Sequence, residues 1–225
     1  MAPGITIVTR VLLVALIAIL VYRRKHRYSY AFASYVAVQA LVNVMGSLWR
    51  AFSRTWSDWA DKETLYGLLR ILILFELTAL IFRALPRARR RAQALLLLTV
   101  LLLAVVLQRS HDTTSLYAIA RGIAASFSYV TVWGLIALLV MIVWYRLPLH
   151  PFHKAILHGL LWLLLVYFGA VYSARAIGGP AAGDIFNTAQ IGILALWLCA
   201  AWKRDPEWDS GELAVIRYLQ PWRAA

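Results

Sequence analysis

A few polar side chains fall where apolar residues dominate, and any chemistry this chain performs would involve them. Glu76 interrupts "RILILFELTALIF", residues 70–82. In 30–49, Tyr35, Gln39, Asn43 and Ser47 recur every four residues, the spacing that lines one face of a helix. Asp184, Asn187 and Gln190 open a late apolar stretch, and Arg121, Ser128 and Thr131 punctuate another. An ionisable group at bilayer depth faces the interior of a bundle and often marks a site. Gln39, Asn43, Glu76, Arg121, Asn187 and Gln190 therefore compose a polar pocket open to the outside, with Glu76 at its floor. Counted from Leu65, Glu76 lies about 15 Å below the outer start of its helix at about 1.5 Å per residue. The plainer reading of the same residues is adhesion: Glu76, neutral or hydrogen-bonded to Gln39 or Arg121, ties helices together. Arg70 is no partner for it, because six residues turn a helix by about 240°.

Histidine and cysteine chemistry is thinner. "HPFHKAILH" places His150, His153 and His158 at one end of an apolar run. Zinc asks for tighter convergence and a further Cys or Asp ligand, so no metal centre and no bound cofactor is expected. His158 is the one position that offers itself to a pigment or a metal; otherwise the histidines sit at head-group level. Cys199 is the single cysteine, which excludes an internal disulfide and CxxC redox chemistry.

The elements that must position these groups follow from composition. The 225 residues are 62% hydrophobic and 15% charged, with a mean hydropathy of +0.70. Soluble domains average about 45–50% apolar and about 25% charged. The apolar residues come in blocks of a length that crosses about 30 Å of hydrocarbon as a helix: Ile5 to Tyr22, Tyr30 to Trp49, Leu65 to Leu85, Ala92 to Leu107, Tyr117 to Tyr145, Phe152 to Tyr172 and Ile185 to Trp202. Their continuity is unlike the dyad pattern of a β-barrel. The expectation is an all-α polytopic membrane bundle of seven transmembrane helices over residues 1–203, with a tail over 204–225. From Gly211 the tail spaces Leu213, Ile216, Leu219 and Trp222 as a short amphipathic segment. The fourth block, nearly pure leucine and valine, should face lipid.

Charge supplies the orientation. Arg23, Arg24, Lys25 and Arg27 follow the first block, Arg83 and Arg87 to Arg91 follow the third, and Arg146 and Lys154 follow the fifth. Elsewhere acids offset the bases: Asp58, Asp61 and Glu63 accompany Arg50, Arg54 and Lys62. Unbalanced Lys and Arg stay cytoplasmic, so the N-terminus is expected outside and the C-terminus inside a bacterial inner membrane. The net charge of +13 is spread over these turns; it suits anionic lipid head groups and not nucleic acid. The first block has its charge after the apolar run and no small-residue cleavage site, unlike a signal peptide. Trp56 and Trp59 read as interfacial anchors in the largest outer loop.

Seven helices with an outside N-terminus invite comparison with microbial rhodopsins, which carry retinal on a lysine inside the seventh helix; here the first lysine there is Lys203, beyond the apolar span. The layout resembles instead a set of bacterial seven-helix membrane proteins with no assigned activity. The residues that carry the likeness are a basic first inner loop leading into an aromatic second helix, "RRKHRYSYAFASY", and an acid in the third, "FELTALIFR". The resemblance implies the fold and the location, and assigns no site. Three function classes stand open: a non-enzymatic bundle acting as accessory subunit of a membrane assembly or as a small sensor, pairing with other membrane subunits or with itself; a small-solute or proton-coupled transporter using Glu76; and an interfacial lipid-modifying enzyme using the histidines. The small residues Gly122 to Ser128 favour close helix contacts and the first class.

Overall fold

The computed structural model of the chain describes residues 3–48, 56–83, 85–109, 116–147 and 149–203. Among them are seven α-helices and no strand: α1 Pro3–Tyr22, α2 Tyr30–Leu48, α3 Trp56–Ile81, α4 Pro86–Arg109, α5 Leu116–Trp144, α6 Pro151–Ile177 and α7 Gly179–Trp202. A 3-10 turn, Lys25–Tyr28, joins α1 to α2. Among the described residues, five helices contain stretches long and apolar enough to cross a membrane: Gly4–Tyr22, Lys62–Ile81, Ser126–Trp144, Pro151–Ala174 and Ala181–Trp202. The corresponding stretch of α2, Tyr30–Met45, is shorter. The amphipathic tail segment and the loop ahead of Trp56 lie outside the described residues.

Helix ends follow local chemistry. Pro86 and Pro151 begin α4 and α6, where a missing N–H costs nothing. α5 ends with Arg146 at φ 47°, its amide bonded to the Val143 carbonyl and that of Leu147 to Ile142. That is a Schellman closure with arginine in the place glycine usually takes. Between α6 and α7 a single residue, Gly178, turns the chain at φ 86° and ψ 146°, a conformation in which a Cβ is strained.

The helices run alternately up and down. Arg23 after α1 lies 5.1 Å from the Trp202 ring at the end of α7. Phe82 after α3 meets Tyr145 after α5 at 6.0 Å. His153 at the start of α6 donates through Nε2 to the Tyr28 carbonyl at 3.0 Å, just ahead of α2. The basic segments Arg23 to Arg27, Arg83 to Arg91, Arg146 and Lys154 therefore gather at one end of the bundle.

The core draws on every helix, with Leu16, Tyr35, Leu77, Leu135, Leu160 and Trp197 all at most 1% exposed. Among the described residues α4 contributes only Ala88, Ala92 and Leu96, while Leu97, Leu98, Leu101 and Leu102 point outward and are more than half exposed. In water such a strip would drive aggregation; it suits a hydrocarbon solvent, as the leucine-rich sequence implies. Close approach depends on three glycines. A Cβ at Gly67 of α3 would collide with Phe127 of α5, and one at Gly159 of α6 with the indole of Trp197. At Gly134 of α5 it would stand 2.9 Å from Leu74 and 3.1 Å from Leu96. The strip expected to make such contacts, Gly122 to Ser128, lies on α5; of it, side chains are described only from residue 126, and Ser128 is fully buried.

Candidate functional site: a buried arginine and its polar neighbours

Glu76, expected at the floor of an outward pocket, is engaged by the start of α2. α3 ends at Ile81, four residues before the end of the apolar block that set its expected depth, so Glu76 lies only five residues from the end of the helix, among the basic segments. Its carboxylate closes the start of α2. Oε1 accepts from the Tyr30 amide at 2.8 Å; Oε2 accepts from the Ala31 amide at 2.8 Å and from Ser29 Oγ at 2.6 Å. Ser29 Oγ in turn accepts from the Phe32 amide at 3.2 Å. The first three amides of α2, which no helical carbonyl can reach, are thus satisfied by one acid and one serine. A negative charge there also opposes the positive pole of the helix. Gln39 is about 13 Å further along α2 at about 1.5 Å per residue, and no hydrogen bond joins it to Glu76 among the described residues.

The expected pocket therefore divides. Gln39 and Asn43 do share a face: the Asn43 amide donates to the Gln39 carbonyl at 2.8 Å. Asn187 is buried and Gln190 half-buried on α7, without a described hydrogen bond to either. Arg121 lies in α5, its side chain outside the described residues.

The residue that completes the α2 face is Arg70, which the helical spacing separates from Glu76. Arg70 is 3% exposed, and it lies between the ends of the apolar stretch Lys62–Ile81, about 12 Å and 16 Å from them. An unpaired arginine at such depth costs at least about 2.5–3.5 kcal/mol. Here Nε donates to the Tyr35 hydroxyl at 3.4 Å, Nη1 donates to Glu63 Oε2 at 3.5 Å, and the guanidinium carbon stands 5.7 Å from the Tyr35 ring centre. Glu63, Tyr66 and Arg70 share a face of α3 because they are three, four and seven residues apart. Tyr66 meets Tyr35 edge to face at 6.1 Å.

Tyr35 is the hub. Its oxygen also accepts from Gln39 Nε2 at 2.8 Å, so an amide and a guanidinium meet across one phenol. The other end of that amide, Gln39 Oε1, is buried with no hydrogen-bond partner. Leaving such an acceptor unmet costs about 1–3 kcal/mol. The hints in the sequence are the seven-residue interval between Glu63 and Arg70 and the tyrosine between them.

From this core a chain of rings runs to the basic end. Tyr35 meets Trp197 at 6.4 Å, Trp197 meets Phe32 at 5.0 Å, and Phe32 meets Phe152 at 5.9 Å. Phe152 lies 6.3 Å from Tyr28, and Tyr28 stacks on His150 at 4.7 Å with 18° between the planes. Lys25, only 3% exposed, holds its Nζ 5.3 Å from the Tyr28 ring centre. Trp197 is fixed by donating to the Ala155 carbonyl at 3.1 Å. His150 and His153 belong to this cluster, 5.5 Å apart, whereas His158 is exposed and donates to its own helix at the Lys154 carbonyl, 2.7 Å. Among the described residues no three His, Cys, Asp or Glu side chains converge as metal ligands would. Comparison with protein-family models, curated proteins and solved structures finds no match.

Proposed function

We propose that the chain is a non-enzymatic protein of a bacterial inner membrane that crosses it seven times, N-terminus outside, and works as a small sensor coupled to other membrane subunits. The observation that carries the reading is Arg70, a cation buried midway along an apolar helix and linked by contiguous side chains to the basic end. A charge at that depth is expensive and is kept where it binds or reports. The rings from Tyr35 through Trp197, Phe32 and Phe152 to Tyr28 give a displacement at Arg70 a packed route to the face that meets the cytoplasm and its anionic lipids. A packed route alone is not coupling; coupling needs an equilibrium that both ends bias. A carrier reading would have to rest on Arg70 also, since the Glu76 carboxylate is taken up by α2.

The test is hydrogen exchange on the protein in lipid nanodiscs. Tyr35→Ala removes the first ring of the route, and exchange should rise not only around residue 35 but in the Lys25–Tyr28 turn, at the far end of the ring chain. A rise confined to the neighbours of Tyr35 would refute the relay. Purification from native membranes in mild detergent supplies the second arm: a strictly monomeric protein, unchanged by cross-linking, would remove the coupled subunit.

A further inference from the structure

Arg70 and Gln39 present complementary unmet chemistry. Two hydrogen bonds engage the guanidinium among the described residues, through Nε and Nη1, and a guanidinium carries five N–H donors in a planar fork. Its ion pair with Glu63 is a single contact at 3.5 Å, not the paired N–H to oxygen geometry at about 2.7–2.9 Å that marks a strong arginine–carboxylate bond. The fork is therefore open to a better-fitting acid. Beside it Gln39, 4% exposed, keeps Oε1 buried and without a donor. Because Gln39 Nε2 and Arg70 Nε both reach the Tyr35 oxygen, cation and orphan acceptor are neighbours.

We propose that this core binds a small monocarboxylate carrying a hydrogen-bond donor next to its carboxyl group, such as a 2-hydroxy acid. The carboxylate takes the Arg70 fork in place of Glu63, which lies one residue from the end of the apolar stretch Lys62–Ile81 and turns out of it, and the adjacent hydroxyl donates to Gln39 Oε1. Depth favours a single negative charge: one guanidinium matches one carboxylate, whereas a phosphate dianion would leave a charge uncompensated in a medium that solvates it poorly. The size is small because Tyr35, Arg70 and Gln39 are all at least nine-tenths buried. The inference rests on the reading of Arg70 as the sensing centre and adds the ligand class.

The probes are glycolate, which has the adjacent hydroxyl, acetate, which lacks it, and glycolamide, which lacks the charge. Binding is read as stabilisation of the nanodisc-embedded protein against heat and by calorimetry. Glycolate should bind about tenfold or more tighter than acetate, the usual worth of a hydrogen bond to a buried acceptor, and glycolamide should not bind. Arg70→Met should abolish glycolate binding. Gln39→Met, which leaves the arginine in place, should make glycolate and acetate bind alike, so the test survives a failure of Arg70→Met to fold. Absence of any glycolate effect on the wild type, binding that persists in Arg70→Met, or a preference for glycolate that persists in Gln39→Met would each overturn the proposal. Loss of the relay in hydrogen exchange would instead refute the sensor and leave this binding intact.

Discussion

Replacing Glu76 by Gln removes one charge and changes little in shape, so its cost can be worked from the contacts. The carboxylate accepts three hydrogen bonds, two from amides of the first turn of α2 and one from Ser29. Glutamine keeps one oxygen and turns an NH2 group toward donors that need an acceptor. At least one amide is then unmet, and the surviving bonds fall from the charged class, about 1.5–3 kcal/mol each, to the neutral one of about 0.5–1.5. Loss of the charge at the helix pole adds about 0.3–1 kcal/mol. A total near 3 kcal/mol is expected, roughly a hundredfold in the unfolding equilibrium. Ser29→Ala, which loses one cap contact, should cost about 1 kcal/mol. Unfolding by SDS in mixed micelles, followed by circular dichroism, measures both, and amide exchange at Tyr30 to Phe32 locates the damage. A Glu76→Gln protein within about 0.5 kcal/mol of wild type, with those amides still protected, would refute the capping argument, since that is below even the lower bound for one lost buried bond.

Gly159→Leu forces a side chain into the Trp197 indole, and overpacking of this kind costs about 1–3 kcal/mol or more; the same SDS titration should show it, with a change in the Trp197 emission obtained by subtracting the spectrum of the Trp197→Phe protein. Arg146→Gly removes a Cβ from a left-handed turn and should stabilise by about 1 kcal/mol, provided the exposed arginine makes no compensating contact; a destabilised variant would show that it does. For orientation, cysteines at Ser57 and Ser115 in a Cys199→Ser background should react with an impermeant thiol reagent from outside, and one at Arg27 only after the membrane is opened; the reverse pattern would invert the topology.

The hydropathy blocks locate all seven helices, because hydrocarbon thickness sets apolar length. They misplace helix ends for the same reason: an apolar block measures the oil, and a helix continues into water. α3 takes in Trp56 to Thr64, which reads as a polar loop, and α7 begins six residues before Ile185. Glu76 departs from its expected depth because α3 also stops at Ile81, four residues before Leu85, which leaves the acid near the end of the helix. Its true partners, backbone amides at the start of α2, carry no sequence signature, since every residue but proline has one. The repeating face of α2 is legible, and Asn43, Gln39 and Tyr35 are joined as four-residue spacing demands. Arg70 is hard to place from the sequence because the nearest conspicuous acid, Glu76, is on the wrong face, while its actual neighbours stand two turns back on α3 and across on Tyr35. The tight glycines are not legible either: Gly67 and Gly159 matter for what stands opposite, Phe127 and Trp197, and pairing between helices is not written along one of them.

The one-residue turn at Gly178 bears on how the protein enters the membrane. With no loop between them, α6 and α7 leave the translocation machinery as a closed hairpin, and neither can choose its direction alone. The end of α7 carries Lys203 and Arg204, followed by Asp205 and Glu207, while the start of α6 carries Lys154 with Arg146 just before it, so the two helices are oriented together by both sets of charges. A residue that lengthened or stiffened this turn would give α7 a separate decision to make, guided only by Lys203 and Arg204 beside two acids. Topological errors in the last span are then expected from changes at position 178 that leave every apolar residue of both helices in place.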